Sequence, residues 1–354
     1  MMFEVIIIGG GLSGLTTAYE LKKSGISCLV LEAQEKLGGR METIQGALGT
    51  PLEMGAAWYS EIHVSLISLL SELGVKTFRQ FSEGITLFQT KSFEPPQKFY
   101  VPAAETPSYR IQGGSAVLIN ALETVIGTDS VRVNMGIRSI REEGDTLVLT
   151  SKTGEEFSTR MVISAMPPQV FLSSIQVTPA LPAALQLVMA GAQTWMEGST
   201  KFAVEYKQPF WRDKGYSGMV FSQAGIIVEI YDHSNVEETR FALKGFLSGS
   251  SVNYPPEERQ ILVMGQLEDL FGPEAAASSG YYEKNWSDQY ISAGNADFMA
   301  PHANNGHPVL QESYLGGKLR FTGSETATVH PGYMDGAVFA GREVARVITA
   351  GRLV

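Results

Sequence analysis

A two-lobed α/β fold is what this sequence predicts, from three observations. An apolar run, Phe3-Glu4-Val5-Ile6-Ile7-Ile8, leads at once into Gly9-Gly10-Gly11-Leu12-Ser13-Gly14 and then into a stretch of helical character. A second apolar run, Cys28-Leu29-Val30-Leu31, ends on Glu32, 18 residues past Gly14. Strand-like and helical segments then continue around an aromatic-rich middle, and the 354 residues are long for one domain and short for three. The first two observations together make the Rossmann-like arrangement that a dinucleotide's pyrophosphate needs. A strand aims the chain, glycines let backbone approach phosphate, and unpaired N–H groups at a helix N-terminus attract the anion. Glu32 stands close to the spacing that places a carboxylate on the adenosine ribose hydroxyls.

The next residues favour flavin over nicotinamide. Glu32-Ala33 is followed by Lys36-Leu37-Gly38-Gly39-Arg40. A Gly-Gly-Arg soon after the second strand resembles the flavoprotein superfamily of amine oxidases, phytoene desaturase-like enzymes and protoporphyrinogen oxidase. Gly38 and Gly39 allow close backbone approach, and Arg40 offers a permanent charge and a planar fork for phosphate or flavin oxygens. Taken alone, the same residues read as a tight turn with a solvated arginine.

Further along, Leu66, Ile67, Leu69, Leu70 and Leu73 have helical spacing within His63 to Leu73, closed by Gly74. The proline-containing segment Phe78 to Tyr109 reads as strand fragments and turns, a first excursion into another lobe. Gly113-Gly114-Ser115 starts a second helix, Ala116 to Ile126, and strands follow at Val131-Val133, Gly136-Arg141, Thr146-Ser151 and Glu156-Ile163. Their Gly-Asp and Thr-Gly turns predict an antiparallel meander. Met161-Val162-Ile163-Ser164-Ala165 reads as a buried strand that stops at Pro167-Pro168. From Gln169 to Asp288 the chain turns aromatic, with Trp195, Phe202, Tyr206, Phe210-Trp211, Tyr216, Tyr231, Tyr281-Tyr282 and Trp286. The organisation expected is a discontinuous dinucleotide lobe, residues 1–75, 112–168 and 289–354, and a reduced substrate lobe of mixed sheet and helices, residues 76–111 and 169–288.

Composition narrows the classes further. A formal charge of −10 argues against nucleic acid and anionic membranes as partners. Cys28 is the only cysteine, which points to a reducing compartment and, with two residues ahead of the first strand and no apolar run of spanning length, to a cytoplasmic protein. The five histidines, His63, His233, His302, His307 and His330, show no metal-ligand spacing, and no metal is expected. Nothing in the sequence signals an oligomeric state.

Two C-terminal and central segments carry a closer resemblance. Leu319-Arg320-Phe321-Thr322-Gly323-Ser324-Glu325-Thr326, followed by His330-Pro331-Gly332-Tyr333-Met334-Asp335-Gly336-Ala337, closely resembles the flavin-containing monoamine oxidases. The resemblance implies a strand entering a turn against the flavin and a helix whose N-terminal N–H groups, at Tyr333 and Met334, face the isoalloxazine carbonyls. Helix N-termini stabilise negative charge on a reduced ring. Thr200-Lys201-Phe202-Ala203-Val204-Glu205-Tyr206-Lys207-Gln208-Pro209-Phe210-Trp211-Arg212 is similar to the family segment whose lysine hydrogen-bonds a water at flavin N5, which makes Lys201 the implied catalytic residue. Gly55-Ala56-Ala57-Trp58 resembles the family turn along the flavin ring, Ile137 falls where backbone holds the adenine, and Trp286 falls where an aromatic flanks the flavin. The motifs span Gly9 to Ala337.

The departures are specific. Nine residues past Trp286, where monoamine oxidases carry the cysteine joined to the flavin, stands Asn295, so FAD is expected without a covalent link. The next family position, one wall of an aromatic cage, is Ala296, leaving Tyr333 as the remaining wall at the substrate. The stretch from Gly74 to Arg110 is shorter than the family's helical insertion there. What the resemblance implies is an FAD-dependent amine oxidase: hydride passes from the carbon bearing a neutral amine to flavin N5, water hydrolyses the imine, and dioxygen reoxidises the flavin with release of hydrogen peroxide. Two rival readings stand beside it, a desaturase or protoporphyrinogen-oxidase-like flavoprotein and a flavin-binding subunit whose short lobe needs a partner chain.

Overall fold

The computed structural model describes residues 3–294 and 300–351, arranged around two large sheets and two small antiparallel ribbons. In the first sheet, strand β1 (Phe3–Ile8) lies between β2 (Cys28–Leu31) and the long strand Glu156–Ser164, parallel to both. A parallel strand covered on both faces reads as a continuous apolar run, which is why Val5 to Ile8 are all buried. Helix α1 (Leu12–Lys23) makes the crossover between β1 and β2. The strand Glu156–Ser164 changes neighbours along its length. Its first half pairs antiparallel with Thr146–Ser151 in the meander, and its second half pairs parallel with Leu319–Phe321.

Four helices cover one face of this sheet: α1, Val64–Glu72, Ala116–Ile126 and the C-terminal helix Met334–Gly351. Leu15, Leu69, Leu122 and Val338 meet there in one core. The other face is covered by Pro168–Ser174 and Ala183–Ala190, through Phe171, Leu185 and Met189. This corrects the expected lobe boundary after residue 168. The chain does not leave there: Gln176–Thr178 adds an edge strand beside Ile137–Glu143, and residues 169–190 stay with the first sheet. Their apolar residues are what cover a face that the meander alone leaves open.

The second sheet has seven strands in the order Gly280–Asn285, Thr200–Tyr206, Phe241–Leu247, Ile227–Asp232, Tyr216–Ser222, Gly84–Gln89 and Gln97–Val101. The last two come from the short excursion between residues 76 and 111. It leaves and returns through a ribbon of Thr77–Arg79 against Tyr109–Ile111 and joins Tyr216–Ser222 in parallel. One face packs on the helix Pro256–Phe271 through Val263, Leu267 and Leu270. Each such side chain contributes about 1.5–3 kcal/mol on burial. The opposite face carries Lys201, Lys244 and Phe246 toward the first lobe, and a cavity lies between the two.

Candidate active site

The cavity holds about 660 Å³, within the usual range for ligand sites. Its nucleotide end is built by the turn after β1. Gly9 has φ 106°, a conformation open to glycine, and gives its N–H to the Leu31 carbonyl at 2.9 Å. Gly11, Leu12 and Ser13 line the cavity, and a Cβ placed on Gly11 would come no nearer than 3.9 Å to any atom, so this backbone borders open space. Gly14 does not line it. A side chain there would collide with the Gly9 carbonyl oxygen, so Gly14 serves the packing of α1 against its own turn.

Glu32 reaches back across β2. Its Oε2 accepts the Gly10 N–H at 2.7 Å and its Oε1 accepts the Gln34 N–H at 2.8 Å. Burial raises its pKa while these backbone donors pull it back down. Ala33, Met135, Gly136 and Ile137 continue the wall. Gly39 and Arg40 line it as well, but Arg40 is not a free fork. Its guanidinium forms a bidentate pair with Glu325, at 2.7 and 3.0 Å, and donates to Ser324 Oγ at 2.9 Å. Glu325 itself is buried behind Arg40 and off the cavity surface, so its part is to orient the arginine. Gly323 and Ser324 line the cavity, and Ser13 Oγ lies 2.8 Å from Thr322 Oγ1, joining α1 to this C-terminal turn.

At the other end the second sheet supplies the wall. Lys201 sits in the strand Thr200–Tyr206, buried in all seven residues, and its Nζ donates to the Gly55 carbonyl at 2.8 Å. Gly55 is therefore behind the cavity surface, holding the lysine, while Ala56, Ala57 and Trp58 line it. Lys201 Nζ is also 5.3 Å from the Phe246 ring, its cross-strand partner. Burial brings Lys201 down to about 8, with the Glu53 carboxylate pulling the other way. A lysine so placed exchanges its proton near neutral pH. Trp286 is buried, lines the cavity and donates from Nε1 to the Met54 carbonyl at 2.8 Å. Gly332, Tyr333 and Met334 close the site at the start of the C-terminal helix. The Tyr333 N–H is already given to the His330 carbonyl at 3.2 Å, so of the two expected donors only Met334 opens the helix. Ala296 and Asn295 lie outside the described residues.

Several site residues escaped the sequence. Phe246 follows from Lys201 only once the strand register is known. Trp195 and Met196 come from the turn before that strand and line the cavity. Lys244 is fully buried on the same sheet face, its Nζ 4.5 Å from the Trp58 ring centre and without a hydrogen-bond partner among the described residues. Burial, with Lys201 next in weight, pushes its pKa far down. The one available signal was a lysine inside the apolar run Ala242-Leu243-Lys244-Gly245-Phe246-Leu247. Among the described residues no group of His, Cys, Asp or Glu could hold a metal ion, and no helix is long and apolar enough to cross a membrane.

A Rossmann-like sheet joined to a second, seven-stranded sheet, with a buried lysine at their common cavity, is an arrangement able to hold a dinucleotide. Comparison with known proteins is more specific. The sequence matches the profile of the flavin-containing amine oxidoreductases over residues 12–102 and 89–349. It is 25% identical over 458 residues to a probable flavin-containing monoamine oxidase A of Dictyostelium discoideum, covering 98% of this chain and 97% of that one. It is also 25% identical over 468 residues to a putrescine oxidase of Kocuria rosea, covering 99% and 96%. The fold matches that of cyclohexylamine oxidase from Brevibacterium oxydans IH-35A with a TM-score of 0.87, at 22% identity over 100% of both chains. The chain belongs to the flavin-containing amine oxidoreductase family, and it is a flavin-dependent oxidoreductase acting on the C–N bond of amines.

Proposed function

We propose that the chain oxidises a neutral amine at the carbon bearing nitrogen, with FAD held without a covalent link. The observation that carries this reading is Lys201, a buried lysine anchored on Gly55 at the cavity wall, beside the aromatic surfaces of Phe246 and Trp58. The chemistry that FAD supplies when bound is hydride acceptance at N5 and electron transfer to dioxygen, with release of hydrogen peroxide. Gly9, Gly11, Leu12 and Ser13 would present backbone to the pyrophosphate, and Glu32 would take the ribose hydroxyls. Ala33 and Ile137 would border the adenine, while Arg40 presents its charge from a position fixed by Glu325 and Ser324. Ala56, Ala57, Trp58, Trp286 and Met334, which line the cavity, would border the ring, and Tyr333 would stand beside the substrate nitrogen's approach.

Lys201 keeps donors beyond its bond to Gly55 and would hold a water at the cavity wall beside a bound flavin. The apolar walls disfavour an ammonium ion, so the neutral amine is the form that enters. Water then hydrolyses the imine to an aldehyde, or to a ketone where the nitrogen sits on a secondary carbon, and ammonia or an amine. The single cysteine, Cys28, is buried in β2 and does not line the cavity, so no thioether reaches the flavin from a described residue. A cytoplasmic location accords with that unpaired thiol.

Anaerobic mixing with primary, secondary and polyamines, putrescine and cyclohexylamine among them, is expected to bleach the flavin of this chain alone. Bleaching by no amine, with turnover of a polyene or tetrapyrrole, would transfer the protein to the desaturase reading. Acid precipitation is expected to leave the yellow colour in the supernatant; a yellow pellet would show a covalent link.

A further inference from the structure

Resting on the amine-oxidising reading, the geometry points to Trp195 as a substrate-positioning residue: with Tyr333 it forms an aromatic wall that selects amines carried on an apolar body. Three separate segments converge to build that wall. Trp195 stacks on His302, ring centres 4.4 Å apart and planes 20° apart, and both lie against Tyr333, at 6.2 and 5.9 Å. The loop carrying His302 is pinned to the Trp195 turn twice. The His302 N–H donates to Gln193 Oε1 at 3.0 Å, and the Gln193 N–H donates to the Ala303 carbonyl at 2.9 Å. His302 Nδ1 is buried without a hydrogen-bond partner among the described residues, so the imidazole contributes its face as a backing plate.

The backbone is bent to allow this. Met196 and His302 both have positive φ, 63° and 58°, which residues with side chains adopt at a cost and which collects at functional sites. Gly332 is the third concession. A Cβ there would stand 2.8 Å from Trp195 Cβ and 2.9 Å from His302 Cε1, so any other residue would push the wall apart. Trp195, Met196 and Tyr333 face the cavity, and Tyr333 is 42% exposed, its ring open to whatever enters. Trp58 and Phe246 also line this end. Among the described lining residues Glu32 is the one carboxylate, and it belongs to the nucleotide end. A second ammonium on the substrate would meet no carboxylate among the described lining residues at this end, so aromatic contact alone would have to offset its desolvation, which favours an amine on a ring or plain chain over a diamine.

The test compares the FAD-loaded full chain with Trp195→Ala and Trp195→Phe, using benzylamine, cyclohexylamine and 1,4-diaminobutane. The wild type is expected to prefer the first two by kcat/KM. Trp195→Ala is expected to raise KM for benzylamine about tenfold, the size of one lost aromatic contact, with kcat within about twofold. Trp195→Phe should restore most of the difference. The Kd of benzyl alcohol, a neutral isostere followed by calorimetry, should move in parallel without any turnover. Unchanged KM and Kd in Trp195→Ala, an equal loss in Trp195→Phe, or a wild type that prefers the diamine would each overturn the assignment. A wild type bleached by no amine would instead sink the reading on which it rests. Should Trp195→Ala fail to fold, Trp195→Phe and Trp195→Leu keep the comparison, with Leu expected to show the larger loss.

Discussion

A lysine in a fully buried strand is costly to keep, and at Lys201 that cost sits beside the role proposed for it. Lys201→Met retains the stem's volume and loses the donor and its proton. FAD content should stay stoichiometric while stopped-flow reduction or reoxidation slows tenfold or more, about 1.4 kcal/mol in barrier terms. The same variant should be more stable. Lys201 titrates near 8 in the folded chain against an ordinary 10.5. Between those values the unfolded chain binds more protons, so stability rises with pH across that window. Below it the folded state bears the full cost of the buried charge, and above it the cost is gone. Denaturant unfolding at pH 7 should show Lys201→Met more stable by about 1–3 kcal/mol, shrinking toward zero by pH 10.5; an equal gain at both pH values would contradict the assignment. Lys244→Met should also stabilise at pH 7, because no hydrogen-bond partner among the described residues compensates its buried Nζ. A lower denaturation midpoint would mean that the contact with Trp58 outweighs burial. Lys201 was legible because its flanking residues, Phe202-Ala203-Val204 and Pro209-Phe210-Trp211, match a known segment. Lys244 was not, since lysines are ordinarily exposed and only pairing with Ala203 and Tyr231 places this one inside.

Within the element made by β1, its turn and α1, the glycines divide by what lies opposite them. Gly11 borders the cavity and Gly14 borders its own turn. Gly11→Val should therefore give a folded, colourless protein, with an unchanged far-ultraviolet spectrum and no bound flavin. Gly14→Ala should lower the melting temperature of the apoprotein itself, because its methyl group meets the Gly9 carbonyl. The reverse pattern would mean that the two roles are exchanged. Elements whose signals are local were readable in advance. The helix Ala116–Ile126 and the strand Thr146–Ser151 fall where apolar spacing and turn residues place them. Elements fixed by distant partners were not. Nothing local to Gly84–Gln89 says that it pairs in parallel with Tyr216–Ser222, and nothing in 169–190 says that it returns to cover Ile6, Leu29 and Val162. Arg40 likewise carries no local mark of Glu325, 285 residues away.

For the whole molecule, the first lobe is made of pieces from both ends of the chain. The C-terminal helix Met334–Gly351 packs on α1 so closely that a Cβ on Gly341 would stand 2.7 Å from the Ser13 carbonyl oxygen. It also contributes Met334, Val338 and Val344 to the core. At about 1.5–3 kcal/mol for each large side chain, their loss approaches the whole stability of a typical domain. A chain ending at Tyr333 is therefore expected to bind no FAD and to elute as aggregate in size exclusion; a soluble yellow monomer would show that the helix is dispensable. The architecture also sets a timetable. On a ribosome α1 emerges roughly 300 residues before the helix that covers it. At ordinary elongation rates that is a wait of about 15–60 s, during which the dinucleotide turn exists without its cover. The newborn dinucleotide turn is thus a segment that a chaperone would have to shield, and coenzyme can be captured only after Met334–Gly351 has been made.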